Sequence, residues 1–384
     1  MAIQLFVPSF DVESCLSEIK ECLETGWTGL GFKTVQFEEA WKSYTGLNNA
    51  HFLNSATSGL NIAFDIFKEK YGWQDDDEVI TTPLTFVSSN HAILLAGLKP
   101  IFADVDDTLC LDPVEVEKKI TEKTRAVLFV GMGGNAGHYN KIVELCKKNN
   151  LKLVLDAAHM AGTRVDGEIP GKEADVVVYS FQAVKNLPTA DSGMICFKLN
   201  ELDEIVRKKT WLGINKDTYS RTNTKGNYKW KYDVEYVGQK YHGNSIMAAI
   251  GLAQLKQLDR DNAYRRQIAK WYRDGFAPYK DKIGLVNIPS ECESSSHLFQ
   301  IIVEDRDSLM NALNEENIYP GVHYVDNTQY RMYEYAKDTC SKATYISDHI
   351  ISLPIHMKLT YEDVQIVISA VITHITKGDM VIKK

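Results

Sequence analysis

Short apolar runs alternate with amphipathic stretches through the first two hundred residues of the chain. Runs of four or five residues that are rich in β-branched side chains are typical of buried strands. They predict strands at residues 50–53, 78–81, 100–103, 126–130, 151–155, 176–179 and 194–197. Apolar residues at helical spacing predict helices between them, at 58–68, 89–96, 113–120 and 139–148. This alternation indicates an α/β fold with a mostly parallel sheet that helices cover on both faces.

The flanking parts of the chain follow other patterns. Helices are predicted at residues 11–23 and 34–44, and a polar, aromatic loop at 210–235. A long helix is predicted at 245–276, followed by a mixture of strands (298–303, 321–325) and helices (306–316, 361–376). Because 384 residues exceed what one core usually covers, we expect two domains. The predicted division is a large domain at 1–250 and a smaller α+β domain at 251–384.

Composition and charge narrow the class of protein. The net charge of -8 and the lack of a long basic run argue against a nucleic-acid partner. No apolar stretch approaches the roughly 18 residues of a membrane span, and the N-terminus does not resemble a signal peptide. The seven cysteines are scattered without a CxxC pair, which supports neither a metal site nor a disulfide framework. We therefore expect a cytoplasmic enzyme without a metal.

Two polar residues end neighbouring predicted strands. Asp156 follows the apolar run 151–155, and Lys185 follows the run 176–179 after a short link. Open α/β sheets place their ligand sites at the carboxyl ends of strands. A buried carboxylate and a nearby lysine are what pyridoxal 5'-phosphate (PLP) chemistry requires. The amine forms a Schiff base with the cofactor aldehyde, and the carboxylate keeps the pyridine nitrogen protonated. A buried capping Asp and a surface Lys remain the alternative interpretation of this pair alone.

Two further loops carry candidate binding residues. The segment NSATSGL at 54–60 lies between a strand and a helix, where small residues and free N–H groups can bind an anion. Ordinary N-capping by Ser55 or Thr57 is the alternative. The segment TFVSS at 85–89 follows the next strand, and Phe86 could stack on a planar ring or belong to the core.

Taken together, these segments resemble one family over nearly the whole chain. It is the DegT/StrS type of sugar aminotransferases, which have PLP-dependent fold type I. The resemblance is carried by GWTGLG at 26–31, NSATSGL at 54–60, TFV at 85–87, DAAH at 156–159, SFQAVKN at 180–186, GQKYH at 238–242 and AAIGL at 248–252. The order and spacing of these motifs are far more specific than any one of them.

The resemblance implies a role for each matching residue. Lys185 would hold the cofactor aldehyde and move protons, and Asp156 would bind the pyridine nitrogen. His159 would lie beside the ring and its hydroxyl, and Phe86 would stack on the ring face. The phosphate would be held by three residues, Ala56, Thr57 and Ser180, and by Lys240 of the partner subunit.

The resemblance also implies the reaction and the partners. The family's usual amino donor is L-glutamate, and its acceptors are nucleotide-linked keto-deoxysugars for surface polysaccharides. The loop at 238–242 crosses to the partner's cofactor in the family, so a homodimer with shared active sites is expected.

Departures from the family pattern leave alternatives open. Lys240 and His242 stand where the family often has Asn and Arg, and the segment at 131–137 (GMGGNAG) replaces a histidine-containing loop. The smaller side chains of this segment suggest a changed pocket, which would also suit a small phosphorylated ketone. A PLP-dependent sugar dehydratase of the same fold is a further alternative. Such relatives replace the lysine with histidine, so Lys185 argues against it.

Overall fold

The structure is a computed structural model that describes residues 2–216 and 232–381. Its strands are β1 (Ile3–Gln4), β2 (His51–Leu53), β3 (Glu78–Thr81), β4 (Lys99–Phe102), β5 (Thr124–Val130), β6 (Lys152–Asp156), β7 (Arg164–Val165), β8 (Val176–Ser180), β9 (Gly193–Phe197), β10 (Gly284–Leu285), β11 (Cys292–Glu293), β12 (Phe299–Ile302), β13 (Ile318–Tyr319) and β14 (Ile350–Leu353). Its helices are α1 (Val12–Thr25), α2 (Phe32–Thr45), α3 (Ala56–Tyr71), α4 (Ser88–Leu95), α5 (Pro113–Lys119), α6 (Tyr139–Lys148), α7 (Asn200–Lys209), α8 (Ser245–Leu255), α9 (Leu258–Phe276), α10 (Arg306–Glu315), α11 (Ser341–His349) and α12 (Tyr361–Val381).

A seven-stranded sheet forms the centre of the larger part of the molecule. Its strand order is β2-β9-β8-β6-β5-β3-β4, and only β9 runs antiparallel to its neighbours. The strands β8 and β9 are buried along their whole length, as expected for strands that are covered on both faces. The predicted α/β class with a mostly parallel sheet is confirmed.

Helix α3 carries the first functional loop of the sheet. Ser55 caps its N-terminus by accepting a hydrogen bond from the Ser58 amide, and Gly72 ends it in the left-handed conformation. A Cβ at Gly59 would lie 2.8 Å from Val178 Cγ1, so glycine allows α3 to pack closely on β8.

None of the helices in residues 2–216 and 232–381 has the length and apolarity that a membrane span needs.

A second, smaller sheet organises the C-terminal part. Its strand order is β10-β12-β14, and both pairings are antiparallel. The hydrophobic core around this sheet includes Tyr272, Phe299 and Ile351. Strand β1 pairs in parallel with β13, and Ile3 joins this second core. The N-terminal residues therefore pack with the C-terminal part of the chain. The predicted domain boundary between 250 and 251 stays a prediction.

Three sequence-based elements differ from the structure or fall outside it. The predicted helix at 245–276 is two helices, α8 and α9, because the chain turns at Gln257, whose side chain donates to Asp11 Oδ2. The predicted strand at 321–325 is not formed; Gly321 makes a single bridge to Ser352, and the chain then turns toward the cavity described below. Most of the predicted loop at 210–235 lies outside the described residues.

Candidate active site

A cavity of about 400 Å³ opens at the carboxyl ends of β6 and β8. Seven of the eight residues that the sequence predicts for the site line this cavity: Ala56, Thr57, Phe86, Asp156, His159, Ser180 and Lys185. They come together because β6 and β8 are adjacent parallel strands, with Asp156 paired to Val178. The eighth residue, Lys240, lies elsewhere. The roles of all eight remain predictions.

Asp156 is a buried carboxylate whose oxygens are both oriented. The Ser89 hydroxyl donates to Oδ2 at 2.7 Å, and the Ala158 amide donates to Oδ1 at 3.1 Å. Thr85 Oγ1 lies 3.0 Å from Ser89 Oγ and can donate to it, because the Ser89 proton is used on Asp156. Burial raises the pKa of Asp156 above its usual value, while these hydrogen bonds oppose the rise. The carboxylate is thus held ready to pair with a cationic group in the cavity.

Lys185 lies in a tight loop that leaves the end of β8. Its amide donates to the Gln182 carbonyl at 2.8 Å. The Thr189 amide donates to the Phe181 carbonyl at 2.8 Å, and this hydrogen bond closes the loop. The next residue, Asn186, is buried and donates to Asn262 Oδ1 and to the Ser295 carbonyl. Burial lowers the pKa of the Lys185 amine to about 8, although Asp156 partly opposes this shift. A substantial neutral fraction near physiological pH makes the amine a nucleophile and a base.

The N-terminal end of α3 forms one wall of the cavity. The amides of Ala56 and Thr57 belong to the first helical turn, where N–H groups have no intrahelical acceptor. A Cβ at Gly193 would lie 2.6 Å from the Ala56 nitrogen, so glycine on β9 allows this close approach. Ser180 ends β8 on the same side and lines the cavity. A phosphate at this helix end would meet N–H groups and the positive end of the helix dipole.

Buried Glu38 anchors the strand that leads into this wall. Its Oε1 accepts the Phe52 amide at 2.8 Å and lies 3.0 Å from His51 Nδ1, and its Oε2 accepts from Arg207 at 2.8 Å. Burial alone would raise the pKa of Glu38, but Arg207 and His51 lower it to about 2. An ionised carboxylate in the core therefore fixes β2 immediately before the loop that carries Ser55.

The opposite wall comes from parts of the chain that the sequence analysis did not assign to the site. Phe6, His297, His323 and Tyr324 line the cavity from the N-terminal and C-terminal segments. The rings of Phe6 and His297 stack with centroids 5.6 Å apart, and the His159 ring is 4.4 Å from His297. The sequence GVHY at 321–324, which places a histidine next to a tyrosine, was a usable signal, whereas Phe6 and His297 stand in segments without periodicity.

The histidines of this wall are neutral. Burial lowers the pKa of His323 to about 4, with a smaller contribution from Lys185. Burial also lowers the pKa values of His159 and His297 well below the usual histidine range. The wall therefore offers hydrogen-bonding groups and aromatic surface without positive charge.

The glycine-rich segment at 131–137 is buried and does not line the cavity, in contrast to the changed pocket that its small side chains suggested. A Cβ at Gly131 would lie 2.0 Å from the Met160 sulfur, and a Cβ at Gly134 would lie 2.1 Å from Ser295 Oγ. The Gly133 amide donates to His159 Nδ1 at 3.2 Å. The glycines thus allow close packing behind the wall, and the Gly133 amide orients His159.

Two other predicted segments lie away from this cavity. Lys240 is exposed, and its Nζ lies 5.4 Å from the centre of the Trp211 ring. The glycine-rich loop at 26–31 packs on the start of α8, where the Ser245 amide donates to Gly29. Neither segment contributes a residue to the cavity of its own chain.

The residues of the cavity fit PLP. A buried carboxylate with both oxygens oriented, a lysine with a lowered pKa and a helix N-terminus with free amides correspond to its ring nitrogen, aldehyde and phosphate. Gly193 leaves the phosphate end free of a side chain that would displace Ala56.

Comparison with known proteins agrees with this geometry. The model of the DegT/DnrJ/EryC1/StrS aminotransferase family matches residues 11–372. The chain is 33% identical to the spore coat polysaccharide biosynthesis protein SpsC of Bacillus subtilis, with 94% of each chain covered. Its structure superposes on PseC of Helicobacter pylori, an aminotransferase involved in the biosynthesis of pseudoaminic acid. The TM-score is 0.87 at 26% sequence identity, and the match covers 98% of this chain and 100% of PseC. The PLP form of Spr1654 from Streptococcus pneumoniae gives a TM-score of 0.89 and 27% identity, covering 98% of this chain and 99% of Spr1654.

Proposed function

We propose a specific reaction for this chain, which belongs to the DegT/DnrJ/EryC1/StrS aminotransferase family and is a PLP-dependent aminotransferase. In this reaction the amino group of L-glutamate is transferred to a nucleotide-linked keto-deoxysugar. We further propose that the product serves surface polysaccharide biosynthesis and that the reaction takes place in the cytoplasm. The observation that carries the proposal is the oriented Asp156 beside Lys185 in one cavity. The likeness to SpsC supports the polysaccharide assignment.

In this proposal the cofactor is held by three groups of residues. Asp156 binds the ring nitrogen, and hydrogen bonds from Ser89 and Ala158 keep the carboxylate oxygens of Asp156 in place. Ala56, Thr57 and Ser180 bind the phosphate, and Phe86 and His159 flank the ring. The bound cofactor supplies an electron sink that stabilises negative charge on the substrate carbon.

Lys185 performs the proton transfers. Its neutral amine, favoured by the lowered pKa, would hold the cofactor at its aldehyde position and would serve as the base once the amino donor is bound. In that role the Lys185 amine would take the proton from the donor's Cα and return it at the C4′ position of the cofactor. The acceptor half-reaction uses the same amine in the opposite direction. General acid–base catalysis of this kind typically contributes about 10²–10⁴-fold.

The size of the cavity bears on the acceptor. About 400 Å³ is near the lower end of the range for small-molecule sites. With the cofactor bound in this cavity, we propose that the remaining space takes one sugar ring or one glutamate. A nucleotide attached to the sugar would therefore extend out of the cavity past Phe86, which is 56% exposed.

We propose that the working unit is a homodimer in which Lys240 reaches the phosphate of the partner's cofactor. The exposed position of Lys240, outside its own cavity, supports this assignment. A lysine can neutralise phosphate as a point charge where the family often has an amide.

A half-reaction screen tests the acceptor. The enzyme is converted to its amino form with glutamate, freed of glutamate, and offered ketosugars on different nucleotides and small phosphorylated ketones. Return of the original absorbance band identifies an acceptor. Turnover of a nucleotide-linked ketosugar is expected. Turnover of phosphorylated ketones alone would replace the sugar assignment, and sugar dehydration without amine formation would contradict transamination.

A further inference from the structure

We infer that the Tyr324 hydroxyl donates a hydrogen bond to an oxygen atom of a substrate and is a specificity-determining group of this site. The inference rests on the proposed function, because it concerns a substrate of the same cavity. Tyr324 lines the cavity, and its hydroxyl lies 3.2 Å from His159 Nε2. The direction of this contact decides what the tyrosine can do.

The tautomer of His159 follows from its other nitrogen. The Gly133 amide donates to Nδ1 at 3.2 Å, so Nδ1 must carry a lone pair and no proton. The ring is buried and neutral, because burial lowers its pKa well below the usual range. Its single proton is therefore on Nε2. That N–H donates to the Tyr324 oxygen, which acts as the acceptor.

The proton of the tyrosine hydroxyl is then free to be donated elsewhere. Among residues 2–216 and 232–381, the Tyr324 oxygen has no hydrogen-bond partner other than His159. The nearby carboxylate of Asp156 is already oriented by Ser89 and Ala158. Burial raises the pKa of Tyr324, so the hydroxyl stays protonated. Tyr324 consequently presents a directed donor to the cavity.

The position of Tyr324 favours a substrate as the acceptor of this hydrogen bond. Its ring centroid is 6.0 Å from that of Phe86 and 6.1 Å from that of His159. Phe86 is largely exposed and marks the open side of the cavity. Tyr324 comes from the C-terminal segment, whereas the proposed phosphate wall, Ala56 and Thr57, comes from α3.

The chemistry of the ligand follows from the lining. Lys185 is the one lysine or arginine among the described residues that line the cavity, and the proposed chemistry occupies it. An acceptor oxygen in this space therefore depends on neutral donors such as Tyr324. A carboxylate of the amino donor and a carbonyl or hydroxyl oxygen of the keto acceptor share this requirement. A site that is built to bond such an oxygen discriminates against analogues that lack it.

The test compares Tyr324→Phe with wild type in the two half-reactions separately. The substitution keeps the ring between Phe86 and His159 and removes only the hydroxyl. We expect kcat/KM to fall about 10- to 100-fold, with KM raised, in the half-reaction whose substrate Tyr324 contacts. A loss confined to glutamate identifies the carboxylate, and a loss confined to the ketosugar identifies a sugar oxygen. Tyr139→Phe is the matched control, because the buried Tyr139 hydroxyl has no hydrogen-bond partner among the described residues.

Two further measurements separate this role from others. The absorbance band of the bound cofactor should be the same in Tyr324→Phe and wild type; a shifted band would mean that the tyrosine contacts the cofactor, and would overturn the inference. Unchanged kinetics in both half-reactions would overturn it as well. If the phenylalanine variant does not fold, 3-fluorotyrosine at position 324, a stronger donor, should lower the same KM, and an unchanged KM would contradict the inference. If wild type rejects both proposed substrates, the proposed function fails, and Tyr324 is tested with the donor and acceptor that the screen identifies.

Discussion

The two walls of the cavity differ in origin and in charge. The wall on the central sheet carries Asp156 at the end of β6, which pairs with a strand on each side, and Lys185 in the hydrogen-bonded loop that follows β8. The opposite wall carries His297, His323 and Tyr324 on segments between regular elements. The first wall holds the charged groups of the chemistry, and the second holds neutral donors and rings. This division is expected when chemistry needs rigid placement and substrate choice needs surfaces that can change without disturbing the sheet.

The electrostatics of the two walls agree with this division. On the sheet wall, burial brings the pKa of Lys185 down to about 8 and raises that of Asp156. On the other wall, burial keeps the histidines uncharged. A change on the first wall should therefore affect every substrate, whereas a change on the second should affect one substrate more than another.

The largest expected effect is the loss of Lys185. Lys185→Ala should lower transamination by at least about 10⁴-fold, because the same amine binds the cofactor and moves the proton. Borohydride reduction of the wild-type holoenzyme should attach PLP to the peptide that contains Lys185, measured by mass spectrometry. The neutral amine is the reactive form, so capture of PLP by the apoprotein should become faster as pH rises through about 8. Labelling of another lysine would show that Lys185 does not hold the cofactor.

Asp156→Asn should give the next largest loss, about 10²- to 10³-fold in kcat for every substrate pair. The amide keeps the shape of the carboxylate but supplies no negative charge to the ring nitrogen. Steady-state kinetics should be compared at saturating PLP, with thermal unfolding as the check on the fold. Equal turnover at full cofactor occupancy would show that another group serves the nitrogen.

Lys240→Ala should cost about 10- to 100-fold, through weaker binding of the cofactor phosphate in the partner subunit. Lys240 would then add a contribution from a second chain to those of the two walls. Mixing Lys240→Ala with Lys185→Ala chains should restore activity, since one site of each mixed dimer has both lysines intact. Sedimentation as a monomer, or no recovery although Lys240→Ala alone is impaired, would contradict the shared site.

Ser89→Ala should have the smallest effect, about 3- to 10-fold in kcat/KM at neutral pH. The lost hydrogen bond stabilises the ionised form of Asp156, so the variant should have a higher Asp156 pKa. Activity requires the ionised carboxylate and is lost as pH falls through that pKa, so the acidic limb of the profile should move to higher pH. Ser89→Thr, which keeps a hydroxyl, should restore the wild-type profile. A loss of activity without movement of that limb would assign Ser89 a purely structural role.

Much of the sheet wall could be predicted from the sequence, because local patterns in the chain indicate its strands and loops. Alternating runs located the strands, and the polar residues after them, Asp156 and Lys185, marked the ligand edge. The segment at 54–60 was visible as a strand–helix junction with a capping serine. Prediction was less accurate in the C-terminal half, where the helix at 245–276 is broken at a residue that bonds to the N-terminal segment.

The sequence by itself determined which residues could perform the chemistry, because strand periodicity, loop composition and family motifs are local properties of the chain. Only the tertiary structure decided which groups orient them. Ser89 reaches Asp156 across 67 residues, and Tyr324 reaches His159 across 165, contacts that no local pattern encodes. It also decided that the Gly133 amide orients His159 and that the glycines at 131–134 do not widen the cavity, since a glycine's role depends on what packs where its Cβ would be. Folding brings these distant segments together because each buries apolar surface in a core shared with the sheet.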